Sequence, residues 1–295
     1  MQSVLGVIGG SGVYDLPGLA GPEWRTVPGP WGEPSDGILF AELDGLPLRF
    51  LPRHGRGHRL SPSHINYRAN IDALKRAGVT DLIAVSAVGS LREDLAPGAF
   101  VLADQFIDRT VRRESSFFGD GIVAHVSMAQ PVSPLLVGRI ATAADAEGIA
   151  YRRGGTYVAI EGPQFSSLAE SRLYRGWGCD VIGMTAMPEA KLAREAEIAY
   201  ATVAMVTDFD CWHPEHDHVD VQEVIRVMHE NGSRVRQLLA RVAADFPREH
   251  EPCPIGSDRA LDGAIMTAPG RFDPELLGKL DYVAGRVLGR QGTQA

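Results

Sequence analysis

Residues 200–213 read YATVAMVTDFDCWH, an apolar run that ends in two acids, Asp208 and Asp210. The run over 200–206 predicts a strand, and its edge is where the chemistry gathers. A turn accounts for one Asp, because Asp favours turns and helix caps. The second stands two positions on, and in an extended segment such side chains point the same way. Two carboxylates that close raise each other's pKa, which keeps one protonated and able to donate.

Outward from this stretch, strand-like and helical runs alternate. Strands are predicted at 3–10, 80–90, 98–109 and 180–184, and a hairpin joins 37–43 to 46–53 across Asp44–Gly45. Helices are predicted at 66–78, 133–148, 168–178, 188–197 and 219–244, with a final one at 273–288. Strands separated by helices define an α/β fold, a central mixed β-sheet flanked by helices. The Pro- and Gly-bearing stretches 17–37 and 247–270 read as loops, so residues 1–295 form a single domain with 250–295 as a C-terminal segment.

Composition narrows the function. Apolar residues at 44% and charged residues at 22% describe a soluble chain with a full core. A net charge of −8 favours neither nucleic acid nor an acidic membrane surface, so any anion must be bound locally. Cys179, Cys211 and Cys253 are odd in number and lack CxxC spacing, which points to reduced thiols and away from structural zinc. With no basic leader before the first strand and no apolar stretch of bilayer length, a cytoplasmic protein is expected.

Several short motifs carry polar groups at strand ends. VIGGSGVYD (7–15) is a Gly-rich turn in which Ser11 adds a hydroxyl. It is either a plain turn or an anion contact; the GxGxxG spacing of a dinucleotide fold is absent. LPRHGRGHRLSPSHINYRAN (51–70) places Arg53 and His54 at the end of an apolar strand, where a paired-donor cation and an imidazole favour an anion site over a solvated loop. Ser86 and Ala87, in AVSAVGSLRED (84–94), are small residues that leave room for a ligand or simply pack. In AIEGPQFSSLAESR (159–172), Ser167 and Glu170 fit a capping box, whereas Phe165 in the loop is free to cover a sugar or base. Met184 by default belongs to the core and His125 by default is a structural histidine.

Taken in order, IGGSG, RHGRGH, SPSHINYRANI, SAVGSLRE, DQFIDRT, EGPQFSS, GMTAMPEA and TDFDCW resemble the trimeric purine nucleoside phosphorylases over residues 4 to 245. The resemblance implies reversible cleavage of a purine nucleoside by inorganic phosphate, a co-substrate, with no cofactor and no metal. It implies a homotrimer whose partners are otherwise a small-molecule nucleoside and phosphate, with no nucleic acid or membrane. By the same resemblance Ser11, Arg53, His54, Ser86, Ala87 and Thr185 bind phosphate. Asp208 donates to purine N7 and Asp210 accepts from a 6-amino group. Met184 meets the ribose, Phe165 the sugar and base, and Ser166 the base. Val221, Val224 and Ile225 line an apolar 5′ pocket that His125 reaches from a neighbouring subunit. Relatives that cleave inosine and guanosine carry Asn where Asp208 stands, so a 6-aminopurine with a 5′-methylthio group is the expected cargo. The alternative is a 6-oxopurine nucleoside phosphorylase, with a nucleosidase or a nucleoside sensor behind it.

Overall fold

A computed structural model describes residues 1–10, 13, 16–213 and 221–289, except the side chains of residues 221, 223 and 224. The strands among them are β1 (Leu5–Gly9), β2 (Ala20–Arg25), β3 (Ile38–Leu43), β4 (Leu46–Pro52), β5 (Asp81–Ser90), β6 (Phe100–Leu102), β7 (Gln105–Arg109), β8 (Tyr151–Arg153), β9 (Thr156–Ile160), β10 (Val181–Gly183) and β11 (Ala199–Asp208). The helices are α1 (Tyr67–Arg76), α2 (Pro134–Ala146), α3 (Leu168–Gly176), α4 (Ala186–Glu195), α5 (Val221–Ala244), α6 (Pro274–Lys279) and α7 (Gly285–Leu288). All these strands join one mixed sheet, as the apolar runs separated by helical periods predict.

Strand β5 organises it. One edge pairs in parallel with β11 along nearly its whole length. The other edge pairs in parallel with β1 over Asp81–Ala84, then antiparallel with β10 at Gly89 and Ser90. Between those two pairings, Val85–Val88 have a strand on the β11 side only, so the sheet forks there. A fork of this kind exposes strand backbone and leaves a crevice, the usual place for a site in an α/β sheet.

Four details depart from the sequence reading. The run 98–109 is two strands, because the chain breaks at Ala103–Asp104, where Asp104 donates its N–H to Gly155 O. Strand β6 then pairs with β11 and β8, while β7 pairs with β9. The stretch 17–37, expected as loop, contains β2, an exposed edge strand that tolerates Gly21 and Pro22. Strands β8 and β9 had no counterpart in the prediction. The last helix is two short ones, α6 and α7, separated where Arg76 of α1 holds Asp281. That tail packs on the same core through Leu261, Leu280, Val283 and Ala284.

A buried ion pair ties these elements together. Arg53, just after β4, is 2% exposed, and Glu189 of α4 is 0% exposed. Arg53 donates Nε to Glu189 Oε2 (2.7 Å) and Nη2 to Oε1 (3.0 Å), then Nη1 to Val85 O (2.8 Å) and Nη2 to Ile8 O (3.2 Å). The Tyr200 hydroxyl of β11 donates to Glu189 Oε1 at 3.1 Å. Breaking a buried pair from one side leaves an uncompensated charge at a cost of about 3–5 kcal/mol. Glu189→Ala is therefore expected to lower unfolding free energy by that order in urea titrations. The double variant Arg53→Met/Glu189→Leu should lose clearly less than the sum of its single changes.

Candidate active site

The fork opens on a cavity of about 930 Å³ with a carboxylate wall, a hydroxyl-and-cation corner and an apolar flank. The carboxylate wall forms where β11 ends. The β5–β11 register slips between Val206 and Asp208, which brings Asp208 opposite Gly89. Asp210 has φ of 53°, so the two acids do not share a face of a continuing strand as the i, i+2 spacing predicts. A turn juxtaposes them, in which Asp208 Oδ1 accepts the N–H of Asp210 at 2.8 Å. Trp212 fixes the turn from behind, buried with its indole N–H donating to Ser90 O at 2.7 Å. Gly89 supplies the room, since a Cβ there would meet Asp208 Oδ1 at 3.0 Å and Asp210 Cβ at 3.3 Å.

Burial raises both acids. The Asp208 carboxyl moves upward against the opposing Thr207 hydroxyl and Asp210 N–H. Burial pushes Asp210 up to about 6, with the Asp208 charge adding to the rise. The Ser171 hydroxyl of α3 opposes that rise from close by but stands outside hydrogen-bonding geometry, so Ser171 Oγ and Asp210 Oδ2 are both buried without a partner among the described residues. Thr207 Oγ lies 2.7 Å from Asp208 Oδ2 and 3.2 Å from Val88 O. With one proton and two acceptors, Thr207 donates to an ionised Asp208, or turns to Val88 and accepts from a protonated one.

The hydroxyl-and-cation corner brings Arg53, His54, Ser86, Ala87 and Thr185 together beside Gly10. Ser11 lies outside the described residues. Two of these groups differ in detail from expectation. Arg53 is no free clamp: of its five N–H donors, four are spent on Glu189, Val85 and Ile8, leaving one on Nη1. His54 is no free donor either. Burial lowers it to about 4, and the neutral ring gives its Nδ1–H to Leu60 O at 2.9 Å. Ser86 Oγ is buried and unpartnered among the described residues, as is the nearby Tyr157 hydroxyl, while Thr185 makes no capping hydrogen bond to α4.

On the apolar flank, Met184, Phe165 and Ser166 line the cavity. Phe165 is 51% exposed, as a covering side chain would be, and Ser166 Oγ is buried and unpartnered among the described residues. Gly162, with φ of 65°, lies where a Cβ would come within 2.5 Å of Met184 Sδ. Arg113, unremarked in the sequence, holds this flank: Nη1 donates to Met184 O and Met187 O, and Nη2 to Glu161 O. The helix face differs from expectation. Ile225 is exposed and off the cavity, while Met228, His229, Gly232 and Arg236 line it. The stripe therefore enters the site about a turn later, and the side chains of Val221 and Val224 lie outside the description. His125 is exposed and off its own chain's cavity, with its backbone N–H bonded to Ala264 O.

Two acids on one wall, a hydroxyl-and-cation corner and an apolar flank around one cavity suit a polar small molecule. Residues 4–244 match the phosphorylase superfamily, and the chain belongs to that family. Its relatives sharpen the comparison. It is 69% identical to the S-methyl-5′-thioadenosine phosphorylase of Bradyrhizobium diazoefficiens, over 97% of this chain and 99% of the relative. It is 65% identical to the enzyme of that name from Rhodospirillum rubrum, over 98% of each. Among solved structures, a methylthioadenosine phosphorylase from an antarctic soil metagenomic library superposes with a TM-score of 0.90 at 46% identity, covering 96% of this chain and 99% of that one. The Schistosoma mansoni enzyme in complex with adenine gives 0.80 at 36% identity, covering 88% and 97%.

The close fit at Gly89 is testable. Gly89→Ala presses on both acids, which must give by a few tenths of an ångström, where a full misplacement of about 1 Å costs about 100-fold. Steady-state kinetics should show kcat/KM for the nucleoside falling by up to about tenfold, with KM for phosphate little changed.

Proposed function

We infer that this chain catalyses reversible phosphorolysis of S-methyl-5′-thioadenosine to adenine and 5-methylthioribose 1-phosphate. The observation that carries the reading is the pair of half-buried Asp208 and buried Asp210 on the same cavity as the hydroxyl-and-cation corner. As the N9–C1′ bond breaks, its electron pair passes to the purine and C1′ becomes oxocarbenium-like. Asp208 delivers a proton to N7, which neutralises the leaving base. Its exchangeable partner Thr207 suits a group that must hold and release a proton. Asp210, on the same cavity wall, receives the 6-amino hydrogen on a carboxylate oxygen. A 6-oxopurine would set O6 against that oxygen, lone pair against lone pair, a mismatch worth about 1–3 kcal/mol.

Phosphate is held by the last N–H of Arg53, the Ser86 and Thr185 hydroxyls, Ala87 and His54, with Ser11 completing the set. His54 becomes a second donor to phosphate only by taking up a proton, which a bound dianion favours. No cofactor or metal has a part in the mechanism. Met184 and Phe165 take the sugar, Ser166 the base, and α5 the methylthio group through Met228, with Val221 and Val224 kept in that role and Ile225, off the cavity, left out of it. We further propose a cytoplasmic homotrimer in which His125 completes a neighbour's 5′ pocket. Exposed Val123 and Met266, paired to each other beside His125, support a second copy covering this face.

Release of base from 5′-methylthioadenosine and 5′-methylthioinosine, each with and without phosphate, tests the reading. Adenine release that requires phosphate, with the inosine analogue at least about tenfold poorer, is expected. Preference for the inosine analogue would refute the assignment of the acids, and phosphate-independent release would make the enzyme a nucleosidase. Because Asp210 must be ionised to accept, kcat/KM for the adenine nucleoside should fall as pH drops below about 6. The trimer is checked by light scattering, and His125→Ala should raise KM for the nucleoside without lowering the mass.

A further inference from the structure

Ser171 has no exposed surface, and its hydroxyl has no hydrogen-bond partner among the described residues. It lies on α3 one turn after a closed capping box, in which Ser167 and Glu170 satisfy each other's backbone N–H. Its own N–H is bonded to Ser167 O at 2.9 Å, so the side-chain hydroxyl is not needed to hold the helix. Across from it is Asp210, whose Oδ2 is also buried and unpartnered. The elements meet there: Ser171 is on the buried side of α3, Arg175 of α3 stacks 3.4 Å from the centroid of the Trp212 ring, and the Cys211 thiol donates to Ser166 O. The Ser171 donor thus sits behind the cavity wall that carries the Asp210 acceptor.

We propose that Ser171 is a specificity-determining positioning residue, whose hydroxyl donates to Asp210 once the base is bound and holds that carboxylate as an acceptor. The proposal rests on the reading of Asp208 and Asp210 given above. The groups around Asp210 show why a donor is needed. Asp208 from β11 and Glu170 from α3 are both acidic, and each disfavours a charge on Asp210. Cys211, next in the turn, adds no cation, since its side-chain thiol donates to Ser166 O. Only the Ser171 hydroxyl and the Cys211 backbone N–H act the other way. Entry of the purine strips remaining water from this wall, which makes each donor count for more. Without Ser171, Asp210 shifts toward the neutral acid, and a neutral acid donates to O6 as readily as it fails to accept from a 6-amino group.

Ser171→Ala and Ser171→Cys, the latter filling the site with a weak donor, should be compared with the unaltered enzyme on 5′-methylthioadenosine and 5′-methylthioinosine across pH. Loss of a hydrogen bond to the charged form is expected to raise the acid limb of kcat/KM for the adenine nucleoside by about one pH unit, and to cut the adenine-to-inosine preference by about tenfold. KM for phosphate should stay within about twofold. A merely structural role would depress both nucleosides together and leave the limb in place; that result overturns the proposal. So does an unchanged preference in whichever variant folds. An unaltered enzyme with no preference for adenine would overturn the reading of the acids and the Ser171 role with it.

Discussion

The ion pair between Arg53 and Glu189 is the constraint on which the site depends. It joins the end of β4 to α4 and, through the guanidinium, to the carbonyls of Ile8 on β1 and Val85 on β5. Tyr200 brings in β11 from the far side. Charges this deep are seldom a net source of stability, because desolvation offsets most of the attraction. What the pair supplies is position: four elements meet at one planar group with directional donors, and β11 joins them through Glu189. The strand ends that carry Gly10, His54 and Ser86 are set by the same contacts, so a local change at Glu189 displaces the whole anion corner.

The fork in β5 turns that frame into a binding site. Where β1 has ended and β10 has not begun, Val85–Val88 border open space on one edge. Buried polar atoms are normally satisfied, and those without a partner call for a reason. Ser86 Oγ, Ser166 Oγ and Asp210 Oδ2 all belong to residues lining one cavity, and all are unpartnered among the described residues. Each such atom costs about 1–3 kcal/mol when desolvated and unpaired. None of the three atoms has appreciable accessible surface, so pairing any of them with a ligand requires a small shift of the wall around it.

The long apolar strands, the Asp44–Gly45 hairpin and the capping box of α3 were legible because each carries a local signal. The Asp pair and the strand-end Arg and His were legible as a cluster for the same reason. Strand β2 was hidden because an exposed edge strand with Gly21 and Pro22 has no alternation to read. Strand β9 is five residues of apolar run after two glycines, too short to tell from other buried segments. The break at Ala103–Asp104 depends on Gly155, far away in sequence. So do the states of the site residues. Burial and Leu60 set the charge of His54, Glu189 takes the donors of Arg53, and a left-handed turn replaces extended geometry at Asp210. The cavity stripe on α5 continued a visible helical period, and following it from Ile225 to Met228, Gly232 and Arg236 would have found it.

The charge states that sequence could not give also bear on how the reaction is driven. With Arg53 matched by Glu189 and His54 neutral, the innermost part of the anion corner carries little net positive charge. In the proposed mechanism a phosphate dianion entering it meets hydroxyls, backbone, a single spare guanidinium N–H and at most the one charge that His54 takes up with it, so its charge is incompletely compensated. The missing compensation arrives when C1′ becomes cationic during bond cleavage. At the opposite wall the developing negative charge of the purine meets a carboxyl whose pKa burial has raised. Both ends therefore interact more strongly with the separated charges than with the intact nucleoside, which is the condition for binding energy to lower a barrier rather than deepen a ground state. A fully cationic corner would bind phosphate more tightly and repel the ribosyl cation it must meet.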